Sequence, residues 1–271
     1  MTGPESVARS GMRPAYAAAR AQWGIVAVLF ALAAIGWWWT AGQMRGMDNR
    51  PWVSLGTFGW FLGVWVVMMA AMMFPSVSPT VALYAAMSRS RSQAAAFTAG
   101  YLVTWAGAGV VAFLIGLTAS HLAHGALAWD DAGQTIAGVT LLAAAGYELT
   151  PLKDVCLGKC RTPLGTLLGS WRAGWAGAFR MGLRNGAWCL GCCWALMASL
   201  FALGVMSVTW MAVVAGMITI EKMLPWRRSA TYGTTIVLVV LGVLLLVAPG
   251  ALPGLDVPGP SPMPSMAPSG P

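Results

Sequence analysis

Five cysteines fall in two tight groups: Cys156 and Cys160 in Cys-Leu-Gly-Lys-Cys, and Cys189, Cys192 and Cys193 in Cys-Leu-Gly-Cys-Cys. On a helix, residues three and four apart share a face, so Cys189 can converge with Cys192 or Cys193, and Met197 lies one turn beyond Cys193 on the same stripe. Thiolate clusters select soft or borderline metals, namely Cu(I), Zn(II) or iron–sulfur. A free cysteine is also an ordinary small apolar packing residue, but three within five positions, with a pair nearby, point towards ligation. The spacings match no single standard site. A second sulfur group, Met68, Met69, Met72 and Met73, stands immediately before Pro75 at helical offsets of three and four. Thioethers bind Cu(I) and are poor zinc ligands, so the combination favours Cu(I), with zinc the weaker candidate.

Two carboxylates lie near the same places in the chain, Glu148 and Glu221. They read as outer support for the sulfur site, possible proton carriers, or partners of Lys153, Arg184 or Lys222. His121 and His124, with Met44, Met47, Met206, Met211, Met263 and Met266, form at most a loose second metal-capture surface. No nucleophile–base pair, phosphate loop or catalytic carboxylate dyad is present.

The elements that must position these residues are apolar. The 271-residue chain is 58% hydrophobic and only 9% charged, whereas a soluble domain is about 25% charged. So little charge cannot cover a water-facing surface, and the long apolar runs need lipid. The net charge of +8 comes from short clusters between apolar runs rather than a basic patch interleaved with aromatics, which argues against nucleic acid. The expected fold is an all-α polytopic membrane bundle of about seven transmembrane helices. They span 23–40, 52–74 (stopping at Pro75), 94–118, 132–149, two halves of 186–224 broken near Ser207, and 231–247. Residues 1–22 are a basic cytoplasmic tail, 23–248 the membrane domain, and 249–271 a disordered Pro/Ser-rich tail. Bulky Trp37, Trp38 and Trp39 follow the first apolar run where a signal-peptidase site would need small residues, so the first helix stays uncleaved. With the N-terminus inside, Arg45 and Arg50 are the only Lys or Arg left outside among sixteen, the asymmetry that orients membrane proteins. All five cysteines then lie towards the reducing cytosol and are expected as thiols.

The segments Val66–Ser76, Tyr147–Lys153 with Cys156 and Cys160, Gly182–Gly186, Cys189–Met197 and Gly204–Lys222 together resemble a bacterial family called predicted metal-binding integral membrane proteins, sometimes labelled copper chaperone. The Cys-Cys-Trp-Ala-Leu-Met run is its most specific carrier. The resemblance implies metal binding without naming a metal or a reaction. Ala187 stands where it implies a histidine, so one possible ligand is missing.

The leading expectation is an inner-membrane Cu(I) protein that traffics or delivers copper. Its partners would be the lipid bilayer, the metal ion and a copper-receiving or copper-donating protein. The alternatives are a membrane thiol–disulfide oxidoreductase, weakened because neither loop carries a Cys-x-x-Cys dithiol in a thioredoxin-like context, and a structural or assembly subunit whose cysteines only pack.

Overall fold

The computed structural model describes residues 4–44, 57–123, 129–203, 208–224 and 227–247. Among them there is no strand, and ten helices run in the order α1 (Pro4–Ala21), α2 (Trp23–Met44), α3 (Phe58–Ser88), α4 (Arg91–Ala123), α5 (Trp129–Glu148), α6 (Pro151–Arg161), α7 (Pro163–Leu168), α8 (Gly174–Leu203), α9 (Val208–Met223) and α10 (Arg227–Val247). By length and composition, four of the described helices can cross a membrane: Trp23–Gln43, Phe58–Ser88, Arg91–Thr118 and Arg228–Val247. A fifth arises if Gln134–Glu148 and Pro151–Arg161, bent by 66°, count as one span. The expected break near Ser207 lies outside the described residues, between α8 and α9.

The basic tail is helical over Pro4–Ala21 and lies against α3 and α7. Tyr16 ties it down by donating its hydroxyl hydrogen to the Met223 carbonyl, 2.8 Å away. The long loop expected over 150–185 holds two short helices and the start of α8. Thr150 caps α6 by accepting from the Lys153 N–H, with Pro151 in the first helical position, where its missing N–H costs nothing.

The largest correction concerns α3. The helix does not stop at Pro75; it runs through Pro75 and Pro79 to Ser88, and ends at Arg89 in the left-handed region, φ 51°. Each proline leaves the carbonyl four residues earlier without its helical donor. Trp37 on α2 donates its indole N–H to the carbonyl of Ala71, the one freed by Pro75, at 3.2 Å. Ser78 donates its hydroxyl to the carbonyl of Pro75, the one freed by Pro79, at 3.0 Å. With both acceptors served, the helix continues, as proline-containing helices do in apolar surroundings.

The core is built by close helix crossings. α4 and α8 form the most extensive pair. A Cβ on Gly100 would lie 2.1 Å from the Phe179 carbonyl oxygen, and one on Gly182 would lie 2.0 Å from that of Phe97, so only glycine admits this backbone approach. Thr104 bonds across the seam to the Leu183 carbonyl at 3.0 Å. α5 pairs with α10, where Gln134 donates to the Leu245 carbonyl at 2.7 Å. Outward faces are strongly apolar, as at Ile35, Ile115, Ile236 and Val247, while the fully buried side chains include Trp105, Tyr101, Phe97, Lys153 and Arg161.

Candidate functional site

Three helices deliver sulfur to one place. α8 supplies Cys189, Cys192 and Cys193, all buried. α6 lies against α8 and supplies Cys160, whose Sγ is 3.8 Å from Cys192 Sγ. The other α6 thiol, Cys156, sits under Gly191, where an added Cβ would come within 2.8 Å of its Sγ. α3 supplies Met73, whose Sδ is 4.0 Å from Cys189 Sγ. Met68, Met69 and Met72 are buried in the same helix, and Met197 in α8.

The thiols are gathered without converging on one point. Cys192 and Cys193 turn back along their own helix and donate to the Cys189 carbonyl, at 3.1 and 2.9 Å. Cys189 Sγ is 3.0 Å from the Tyr101 hydroxyl and 3.0 Å from the Lys222 ammonium, which also lies 3.9 Å from Met73 Sδ. Among the described residues, no three His, Cys, Asp or Glu side chains are arranged to hold a metal ion. Bringing these sulfurs onto a common ion requires the Cys192 and Cys193 thiols to leave the Cys189 carbonyl.

Tyr101 and Lys222 are partners of Cys189 that sequence reasoning did not find. Lys222 stood there as a partner for a carboxylate. Instead Lys153, 1% exposed, takes both carboxylates: it bonds Glu148 Oε2, and Glu221 Oε2 at 2.7 Å. Both glutamates are buried, and the second oxygen of each has no hydrogen-bond partner among the described residues. Arg161 closes the end of α9 by donating to the carbonyls of Glu221, at 2.6 Å, and Leu224. The signal for the split roles of Glu221 and Lys222 was their adjacency, since neighbours on a helix point about 100° apart and cannot serve one partner face.

Other expectations fall elsewhere. Met211 is buried in α9. The side chains of His121 and Met44, and residues His124, Met47, Met206, Met263 and Met266, lie outside the described part of the structure.

Chemically, the arrangement puts four soft donors, buried Cys189, Cys192 and Met73 and half-buried Cys160, beside one buried ammonium group. Tyr101 and Lys222 can hold negative charge on Cys189 by hydrogen bonding and ion pairing. A family model described as PpoB2, copper chaperone, matches residues 62–245, a span that contains every sulfur and carboxylate residue named above as a candidate from Met68 to Glu221. Neither curated proteins nor solved structures give a match. The chain belongs to the PpoB2 copper chaperone family.

Proposed function

We propose that this chain is a seven-span inner-membrane protein that binds Cu(I) through Cys160, Cys189, Cys192 and Cys193, with Met73 as thioether donor, and passes it to a copper-receiving partner. The observation that carries the reading is the meeting of α3, α6 and α8 sulfurs around Cys189 and Cys192 inside the helical core. Cu(I) accepts few, soft ligands, and thiolate with thioether matches it better than Zn(II), which prefers four thiolate, imidazole or carboxylate donors. Copper arrives as cargo. Two thiolates around one Cu(I) leave one net negative charge, and the Lys222 ammonium stands 3.0 Å from Cys189 to offset it. Cys156, Met68, Met69, Met72 and Met197 flank the site as candidates for intermediate transfer positions.

The seven spans are α2, α3, α4, α5, α8, α9 and α10. The short or amphipathic α1, α6 and α7 lie on the cytoplasmic side, which also receives the C-terminal ends of α5 and α9. This ordering keeps the Lys and Arg bias inside. Glu148 and Glu221 support the site through Lys153 at the same depth.

The test is copper retention by protein purified under reducing conditions. Replacing Cys192 and Cys193 together by Ser is expected to abolish retained copper and leave membrane insertion intact, because Ser preserves size and removes the soft donor. Full copper in that variant would overturn the reading. A thiol–disulfide reading is favoured by one observation, the 3.8 Å approach of Cys160 and Cys192. Metal-free protein with a disulfide between these two residues that titrates reversibly would support it instead.

A further inference from the structure

The sulfur site uses none of the arginines that precede and open α8. Arg172, Arg180 and Arg184, with Ser170 and Met181, line an open cavity of about 250 Å³. The local backbone is built to bring them together. Gly174 adopts φ +82°, a conformation L side chains rarely take, and turns the chain out of the 171–173 segment into α8. Gly177 then lets that segment fold back onto the first turn, because a Cβ there would lie 2.4 Å from the Arg172 carbonyl oxygen. Arg180 and Arg184 are four apart on one helical face, so Arg172 is returned to the side they share. Among the described residues, no carboxylate lies within ion-pair distance of any of the three. Buried Met181 gives the cavity an apolar floor, and Ser170, which donates its own hydrogen to the Thr166 carbonyl, can still accept.

Exposed apolar side chains flank Ser170 and Arg172 in the chain: Leu168 is 60% exposed and Trp171 37%, and Trp171 is braced against Tyr84 of α3 with ring centroids 5.4 Å apart. Tryptophan beside unpaired arginine is the composition of a membrane–water boundary, and basic pockets between helices at that boundary hold lipid headgroups.

We propose that Arg172, Arg180 and Arg184 form a binding site for the phosphate of an anionic phospholipid, with the neighbouring Trp171 and Leu168 against its acyl chains. The inference rests on the membrane reading above and not on the copper site. The guanidinium forks supply bidentate donors to phosphate oxygens, and the exposed Trp171 and Leu168 beside Arg172 and Ser170 favour a lipid over a free anion.

The test uses the full chain, purified in detergent, stripped of lipid and titrated with phosphatidylglycerol or phosphatidylcholine, with bound lipid counted by native mass spectrometry. Wild type is expected to prefer phosphatidylglycerol. The triple variant R172Q/R180Q/R184Q is expected to lose about a hundredfold of that preference, three basic contacts at roughly tenfold or less each. The variant R13Q/R89Q/R91Q removes the same charge elsewhere and is expected to keep the preference; an equal loss in both variants would overturn the site in favour of bulk charge. Displacement of phosphatidylglycerol by equimolar inorganic phosphate would overturn the lipid assignment. Alkaline carbonate extraction of the source membranes separates the two levels. A chain released by carbonate refutes the membrane reading itself, whereas a chain retained without lipid preference refutes only this site.

Discussion

Glu221 and Lys222 are neighbours in sequence with different partners. Glu221 turns to Lys153, Lys222 to Cys189 and Met73. Burial of ionisable groups is tolerated only when each is compensated, and here one lysine compensates two glutamates while another is compensated by sulfur. Lys153→Met leaves Glu148 and Glu221 facing one another without a cation. It is expected to destabilise the protein by about 3–5 kcal/mol, the usual cost of orphaning a buried charge, read as a lower unfolding midpoint in detergent. Glu148→Gln keeps an acceptor for Lys153 and is expected to cost less. The methionines make a second residue-level test. Five were candidates in the sequence, and the structure brings the Met73 sulfur to Cys189. Met73→Leu is expected to weaken copper retention about 10-fold to 100-fold, the range seen when a metal's immediate surroundings are perturbed. Met197→Leu, a near volume-conserving swap in the α8 core, is expected to leave retention within about twofold; equal losses would remove Met73 from the site. The helical spacing of the sulfur residues was legible within each helix, while the Cys160–Cys192 and Met73–Cys189 approaches come from the packing of α6 and α3 against α8. Tyr101 and Lys222 were not, because their approach to Cys189 depends on how α4 and α9 turn against α8, which no local pattern in either helix encodes.

Helix α3 shows what local reading misses at the scale of an element. Proline ends most helices because it strands a carbonyl and crowds the preceding turn, so a span ending at Pro75 was the reasonable expectation. The rescue comes from Trp37, thirty-four residues away, and from Ser78, and only the former is tertiary. A double-mutant cycle isolates it. Trp37→Phe leaves the Ala71 carbonyl without a donor and is expected to cost about 1–3 kcal/mol. Pro75→Ala restores the backbone N–H that can serve the same carbonyl. The double variant W37F/P75A is therefore expected to recover most of that loss in equilibrium unfolding. Additive losses would show that Trp37 contributes only ring packing. The α4 and α8 crossing was half legible: Gly100 and Gly182 are visible as small residues in apolar runs, but their apposition to the Phe179 and Phe97 carbonyls requires the packed pair.

For the whole molecule, the number of crossings decides which side each arginine faces. Four described helices qualify as spans alone, and a fifth qualifies as the bent pair of α5 with α6. α8 and α9 are not in that group, although α8 carries no charged residue over 186–203, beyond Arg180 and Arg184 in its first half; α9 has 16 residues. An α9 of this length covers about 24 Å, somewhat short of a hydrocarbon core of about 30 Å. The charge distribution discriminates among the counts. If only α2, α3, α4 and α10 cross, the stretch with Lys153, Lys159, Arg161, Arg172, Arg180 and Arg184 lies on the external side, against the preference of basic loops for the cytoplasm. If α5 also crosses, that stretch returns inside whether α8 and α9 traverse or form a hairpin that re-emerges on the same side. Reporters at three positions separate the cases. Seven crossings place a fusion at residue 165 inside and fusions at 205 and 265 outside. A re-entrant α8–α9 hairpin places 205 inside with 165, and 265 outside. Four crossings place 165 and 205 outside and 265 inside. The expected result is the first pattern, because it keeps every basic cluster except Arg45 and Arg50 in the cytoplasm and carries the apolar exteriors of α8 and α9 across lipid as two spans. Residue 165 outside would overturn it, and with it the assignment of the cysteines to the reducing side of the membrane.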